Sequence, residues 1–374
     1  MSFWYLIFDI LSKISKQKGH CYKPKTIMKK IFIPILAISV SFLIMIYRGS
    51  YAMLPVAFVV LGLLVFFTFL SKILTLNNST GALEITKRTV SWWWMVAIFM
   101  LCVTTHRLIV FCFLGFLSFL ALKEYFSLLP EYKNLKAEKL FSDNLPQLVC
   151  YFAILLSAYL AYIRWYGLYI ILIPVYVFLL IPIIFVLQNR TTGVVKSLGL
   201  ISIGLMFFVF NLGHSFFMVN LGVFVLVYCF LLTEARDVLA YWVGKTLCLL
   251  YDKNPQNIFF KILNSKIAKD INPKKTWGAG LIAAFLISLL SLLFVPVMPQ
   301  FPRGSLTYSF AAILGLSIGL LGLMGDLVFS MIKRDIGVTD TGNILPGHGG
   351  LIDRVNSLVF TIPVTFHLIN WRYL

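Results

Sequence analysis

Acidic side chains are scarce in this sequence: Asp and Glu number 14 in 374 residues, against 32 Lys and Arg. Charge of either sign is thin at 12%, while 60% of the chain is hydrophobic and the mean hydropathy is +0.91. That balance excludes a soluble domain of any size and places the chain in a bilayer. Six cysteines (Cys21, Cys102, Cys112, Cys150, Cys229 and Cys248) form no CxxC pair, so neither a disulfide framework nor a zinc site is indicated. No solenoid-type repeat is visible. The formal charge of +18 has no nucleic-acid-binding fold to carry it. On a membrane protein such an excess gathers in cytoplasmic loops and against anionic headgroups. Ionisable groups inside the apolar runs are few, His214 and His367 standing alone, which weighs against a transporter.

What the chain does have is apolar runs long enough to span. Helical spans need about 20 apolar residues. Such runs fall near 31–47, 52–71, 90–105, 108–122, 147–163, 167–187, 197–213, 215–233, 279–298, 306–325 and 356–370. The expected fold is an all-α polytopic membrane protein with about 9 to 11 transmembrane helices and polar active-site loops on the cytoplasmic side. The expected regions are a basic cytoplasmic N-terminal arm (1–30), an N-terminal transmembrane region (31–233) and a C-terminal catalytic membrane region (234–374). In the arm an apolar run precedes Lys13, Lys16, Lys18, Lys23, Lys25, Lys29 and Lys30, the wrong order for a signal peptide. It reads as an interfacial helix with a polybasic segment, or as a disordered tail. With the N-terminus inside, the inward loops 72–89, 123–146, 188–196, 234–278 and 326–355 hold most of the lysines. The outward ones hold little beyond Arg48, Arg107, Arg164 and Arg303, as the positive-inside rule requires. Pro174 and Pro182 predict a kinked helix, and Trp92, Trp93 and Trp94 an aromatic belt.

One polar stretch stands out, Gly325 to Asn356, flanked by apolar runs. It holds Asp326, Asp335, Asp340 and Asp353, with Lys333, Arg334, Arg354 and a Gly-His-Gly-Gly turn at His348. Carboxylates hold hard divalent cations through oxygen, Lys and Arg take phosphate oxygens, and glycines let backbone N–H groups approach an anion. The stretch therefore suits chemistry on a phosphate ester at a membrane. The alternative is a polar loop that only caps two helices. A second polar region, 234–278, contains Asp237 and Tyr241, four apart and so on one helical face, and later Pro273, Lys274, Lys275 and Thr276. For these the bland readings are a juxtamembrane helix with a solvated acid and an ordinary basic stop before a span.

Ser330, Lys333, Arg334, Asp340, Pro346, His348, Gly349, Gly350, Asp353 and Arg354 follow a spacing that resembles the signature of the phosphatidate cytidylyltransferases, the CDP-diacylglycerol synthases. Asp237, Ala240, Tyr241 and Gly244, and then Pro273 to Trp277, resemble two further segments of that family. The resemblance covers roughly the last 150 residues by motif. Three positions depart: a family Glu is Gly278, a family Lys is Thr339, and the closing family Asp is Asn356.

The resemblance implies transfer of a cytidylyl group from CTP to phosphatidic acid or a related phospholipid, with release of pyrophosphate. It implies a magnesium ion on Asp326 and Asp353, with room for a second, monovalent cation. Asp340, Lys333, Arg334 and His348 would complete the catalytic set; His348 either positions a phosphate or satisfies the turn's backbone. Substrate would meet Asp237, Tyr241, Lys274, Lys275, Thr276, Ser330, Gly349, Gly350 and Arg354. Asp335 is expected to be solvated. The alternatives are a CTP-using lipid kinase and an inactive membrane binding or scaffold relative. The expected partners are CTP, the phospholipid and the lipid bilayer, with no nucleic acid, in a monomer or homodimer. The expected location is a bacterial inner (plasma) membrane, with the N-terminus cytoplasmic.

Overall fold

The computed structural model describes residues 24–76, 82–129, 144–254, 256–298, 300–342 and 349–373. Among these the chain is helical, with two isolated antiparallel bridges and no strand. The basic arm up to Lys23 lies outside the described residues, as do Pro346 and His348. The described residues divide into two compact units. One runs up to Phe113 and takes in Asp340–Asp353; the other is Leu114–Thr339 with Arg354–Leu374.

In the first unit, α1 (Pro24–Tyr47) and α2 (Leu54–Leu76) pack on α3 (Ala82–Thr104). Ile31, Ile38, Met45, Leu64, Trp93 and Met100 fill the contact. The aromatic belt expected at Trp92–Trp94 is not one. Trp93 and Trp94 are buried, and Trp93 Nε1 donates to Thr68 Oγ1 at 2.8 Å, so these rings join helices rather than face headgroups. Arg48, just past α1, donates to the carbonyls of Thr104 (3.2 Å) and Thr105, which the end of α3 leaves without helical partners. Only two residues separate α3 from α4 (Arg107–Leu128).

The second unit contains α5 (Asn144–Tyr162), α6 (Tyr166–Leu187), α7 (Val194–Leu221), α8 (Val223–Lys253), α9 (Ile258–Leu263), α10 (Trp277–Leu292), α11 (Tyr308–Ile336) and α13 (Leu358–Tyr373). The short α12 (Ile352–Val355) crosses between the units in sequence. The disturbance expected of Pro174 takes the form of a π-helical turn, Leu172–Val177, inside α6.

Every expected apolar run contains a helix, with boundaries that differ in places. The break expected near His214 lies at Gly222, whose φ of 138° ends α7. The run expected over 279–298 is α-helical only to Leu292. The polar region expected as a loop from residue 234 is helical to Lys253, its isolated Gly244 being tolerated within the helix. Among the described residues six helices are long and apolar enough to cross a membrane: Leu54–Ile73, Arg107–Leu128, Leu145–Tyr162, Tyr166–Leu187, Val194–Leu221 and Tyr308–Ile336. Ile31–Tyr47 and Trp277–Leu292 are shorter apolar helices. The protein is an all-α, multi-pass integral membrane protein.

The closest packing in the second unit sets the register of α11. A Cβ on Gly319 would lie 2.4 Å from Ala284 Cα of α10, and one on Gly315 would lie 2.7 Å from the Ile287 carbonyl. Glycines there let the backbones touch, as small residues do between membrane helices. Ser291 Oγ donates to the Ala311 carbonyl at 2.6 Å and Ser288 Oγ to that of Ala312 at 2.8 Å. These contacts fix which way the lower half of α11, with Asp326, faces.

Candidate active site

Three helices of the second unit bring together groups that are far apart in sequence. Asp326 of α11 pairs with the Lys275 ammonium just before α10, at 19% and 28% side-chain exposure. Asn356 Nδ2 donates to the other Asp326 oxygen at 3.4 Å, and its own Oδ1 accepts from Ser357 N at 2.7 Å. The close approach behind this is Gly325, where a Cβ would sit 2.7 Å from the Asn356 carbonyl. Asp326 is thus held between a cation and an amide.

On α8, Glu234 and Asp237 are one turn apart and share a face. Asp237 pairs with Arg236, whose side chain is 0% exposed. Asp237 lies above the ordinary carboxylate range. Desolvation raises it most, the Arg236 and Lys275 charges oppose, and the Asp326 charge adds to the rise. Glu234 is pushed up to about 7, again first by desolvation, then by Asp237, with Arg354 opposing. Glu234 is exposed and Asp237 half-buried, so both acids are reachable from outside the helix packing. Glu234, Asp237 and Asp326 therefore share one electrostatic neighbourhood with Arg236, Lys275 and Arg354.

The segment before α10 is a turn, not a helix start. Lys274 N donates to Asn272 Oδ1 (3.3 Å) and Lys275 N to the Asn272 carbonyl (3.2 Å). α10 begins at Trp277, four residues past Pro273, and is capped by Thr276, whose Oγ1 accepts from Ala279 N at 3.3 Å. Thr276 is buried, and its hydroxyl oxygen serves the helix. Asn272 Nδ2 donates to Ser330 Oγ at 3.3 Å, and Arg334 Nε to the Ile271 carbonyl at 3.5 Å, so this turn docks on α11. Lys274 is exposed, and Tyr241 is exposed with its ring against Trp242. Lys333 and Arg334 fall in the last turn of α11, which Gly337 closes in the left-handed region at φ 90°.

In the first unit, one oxygen of Asp353 gathers three donors. Thr341 N and Thr341 Oγ1 each donate at 3.1 Å, and Gly350 N donates at 3.2 Å. Gly349 has φ +81°, and a Cβ there would lie 2.9 Å from Asp353 Oδ2 and 3.7 Å from Asp340 Oδ1. The glycine turn therefore brings Asp340 and Asp353 against one backbone corner.

Two of the three departures have structural causes. A Cβ at Gly278 would lie 2.6 Å from the Leu263 carbonyl, so this backbone admits no glutamate there. Asn356 supplies a donor to Asp326 where an aspartate would bring a second negative charge. Nothing in the structure explains Thr339.

The two oxygens of Asp326 are met by the Lys275 ammonium and the Asn356 Nδ2, so a cation would bind by displacing Lys275. Asp326 offers carboxylate oxygen, the donor that magnesium takes, usually with substrate phosphates completing the shell. Among the described residues no three His, Cys, Asp or Glu converge tightly enough to hold a metal without such help.

Reasoning from sequence singled out Asp326, Lys275 and Asp237 but not Glu234, Arg236 or the contact of Asn356. The spacing of Glu234 and Asp237 on one face was the available signal for the first; nothing in the sequence marks Arg236 as buried.

A multi-pass helical protein with clustered acids and bases where its helices meet defines a membrane enzyme acting on charged groups. Residues 86–371 match the profile of the cytidylyltransferase family. The chain is 32% identical over 295 residues to the uncharacterized protein YnbB of Escherichia coli (strain K12), covering 77% of this chain and 88% of that one. It is 36% identical over 153 residues to a phosphatidate cytidylyltransferase of Synechocystis, covering 40% of this chain and 44% of that one. It is 31% identical over 148 residues to one from Bacillus subtilis, covering 40% and 48%. The chain belongs to the cytidylyltransferase family and is a nucleotidyltransferase. The match spans under half the length of those two transferases.

Proposed function

We propose that the protein transfers the cytidylyl group of CTP to phosphatidate or a close phospholipid analogue, forming CDP-diacylglycerol. The observation that carries this reading is the charge cluster in which Lys275 pairs with Asp326 and acts on Asp237, with Glu234, Arg236 and Arg354 alongside. Family membership gives those groups a reaction.

A phosphate oxygen of the lipid attacks the α-phosphorus of CTP. The bond from that phosphorus to the oxygen bridging to the β-phosphorus breaks, and pyrophosphate leaves with the electron pair. Such transfers rest on positioning and on neutralising charge. In this reading Lys275 and Arg354 meet phosphate oxygens, Lys275 by exchanging its partner Asp326 for substrate; its pairing with Asp326 and the effect of Arg354 on Glu234 support that role. Lys333 and Arg334 extend the basic side along α11. The family signature assigns magnesium to Asp326 and Asp353; when bound, it neutralises charge on the transferring group. In this reading the N-terminus and both polar regions face the cytoplasm of a bacterial inner membrane, where CTP is.

The test is incubation of purified protein with labelled CTP, phosphatidate and magnesium, following label into the lipid phase. Asp326→Asn and Asp353→Asn serve as controls. Label in lipid with pyrophosphate release, lost in both controls, is the expected result. CDP with a phosphorylated lipid would instead mean a CTP-using kinase. Neither product from folded protein would leave a binding or scaffold relative.

A further inference from the structure

Arg236 is the largest fully buried side chain described, and its charge is permanent. Nη1 meets Asp237. Nε and Nη2 are buried and have no hydrogen-bond partner among the described residues. Those two donors form the side-on edge of the guanidinium, the fork that takes two oxygens of a phosphate or carboxylate at once. Buried donors on a charged group are nearly always satisfied, so an entire orphaned edge calls for a missing partner. Room beside it comes from Gly322 on α11, where an added Cβ would lie 3.5 Å from Arg236 Cδ and Nε. The family segment quoted above begins at Asp237 and gives Arg236 no role.

We infer that the Nε/Nη2 edge of Arg236 is a bidentate subsite for a phosphoryl group, next to Asp237 and beside Gly322 of α11. The edge is closed to solvent, so binding includes rotation of the guanidinium about its own torsions. The inference rests on the transfer reading only for the owner of the phosphoryl group, which is either the nucleotide or the lipid.

The experiment uses the full chain in detergent at constant magnesium, with inorganic pyrophosphate as the probe and unfolding midpoint as the first readout. Labelled CTP and labelled phosphatidate are then bound at equilibrium in separate arms. Wild type, Arg236→Lys and Gly322→Ala are compared. Lysine keeps the charge but loses the fork. Alanine at 322 leaves Arg236 in place and makes only ordinary contact, while narrowing the approach.

Pyrophosphate is expected to raise the wild-type midpoint, and Arg236→Lys to weaken pyrophosphate binding about tenfold or more. Gly322→Ala is expected to weaken it by a smaller factor. A matching loss for CTP alone assigns the subsite to the nucleotide, and for phosphatidate alone to the lipid. Wild-type affinity for all three ligands in both variants overturns the inference. Should Arg236→Lys fail to fold, unchanged binding in Gly322→Ala overturns it alone. A wild type that neither responds to pyrophosphate nor binds either substrate also overturns it. Pyrophosphate binding that depends on Arg236, in a protein that makes no nucleotide-linked lipid, leaves the subsite standing and removes the transfer reading.

Discussion

Gly278 offers the most direct trial of how tightly the second unit is built. It is the second residue of α10 and is buried. A Cβ there would lie 2.6 Å from the Leu263 carbonyl oxygen, 2.7 Å from Leu263 Cβ and 3.0 Å from Leu247 Cδ1. Ordinary contact begins near 3.4 Å, so the first distance is 3.4 − 2.6 = 0.8 Å short. The Leu263 carbonyl is backbone and cannot rotate aside. The chain around α9 must shift, and it is tied to the next turn: Trp277 N donates to the Ser265 carbonyl (3.0 Å) and Ile267 N to that of Lys275 (3.2 Å). The shift therefore reaches Lys275 and through it Asp326. Gly278→Ala is expected to cost about 1–3 kcal/mol, the usual range for overpacking. Gly278→Glu, which restores the family residue, is expected to cost more, since it also buries a carboxyl without a partner. The assay is the apparent unfolding midpoint in detergent, paired with lipid labelling from CTP. Both should fall, further for glutamate than for alanine. A Gly278→Glu protein that melts like wild type and labels lipid faster would refute the contact argument outright.

Three further outcomes are expected. Thr276→Val removes the cap of α10 and should destabilise by about 1 kcal/mol, read as a lower midpoint, with no change expected if Thr276 served substrate alone. Glu234 is held near 7 against an ordinary 4.5, so between those pH values the folded protein keeps a proton that the unfolded chain releases. Stability through this group therefore falls as pH rises across that window, Asp237 adding with the same sign; Glu234→Gln should flatten the midpoint-versus-pH curve there. Asn356→Asp replaces a donor 3.4 Å from Asp326 with a second negative charge. Its midpoint should drop in chelator and recover with magnesium more than wild type does; equal responses would count against a cation at Asp326.

The spans were legible because apolar runs of that length have few other uses. Their limits were less so. Gly222 ends α7 through a backbone angle, and a single glycine in an apolar run does not announce which angle it takes. The charged half of α8 reads as a loop where polarity alone marks the end of a span. It is helix nonetheless: its one glycine, Gly244, is isolated and tolerated, and the helix runs to Lys253. The tryptophans of α3 suited either a lipid-facing belt or a helix contact, and only packing separates the two. In the site, the signature spacings identified Asp237, Lys275 and Asp326. They could not say that Lys275 rather than Lys274 reaches the acid, since that choice is made by the turn at Asn272. Nor could they show that Arg236 points inward, because a position beside an aspartate on a polar helix is as readily solvated.

The departures from the family pattern acquire different meanings once their surroundings are known. Gly278 is imposed by a backbone contact, so its missing charge reflects how α9 and α10 meet. Asn356 stands at the family aspartate's position in the signature, carries no charge and gives Asp326 a donor. Glu234, Asp237 and Asp326 stand close to Arg236, Lys275 and Arg354. An aspartate at 356 would add a carboxylate beside Asp326 and draw harder on any cation. With asparagine, Asp326 is oriented by Lys275 on one oxygen and Asn356 on the other. Phosphoryl transfer asks first for positioned charges rather than many of them. The departures remove charge, and Lys275 and Asn356 still hold Asp326 from both sides, so the site is thinned without being taken apart.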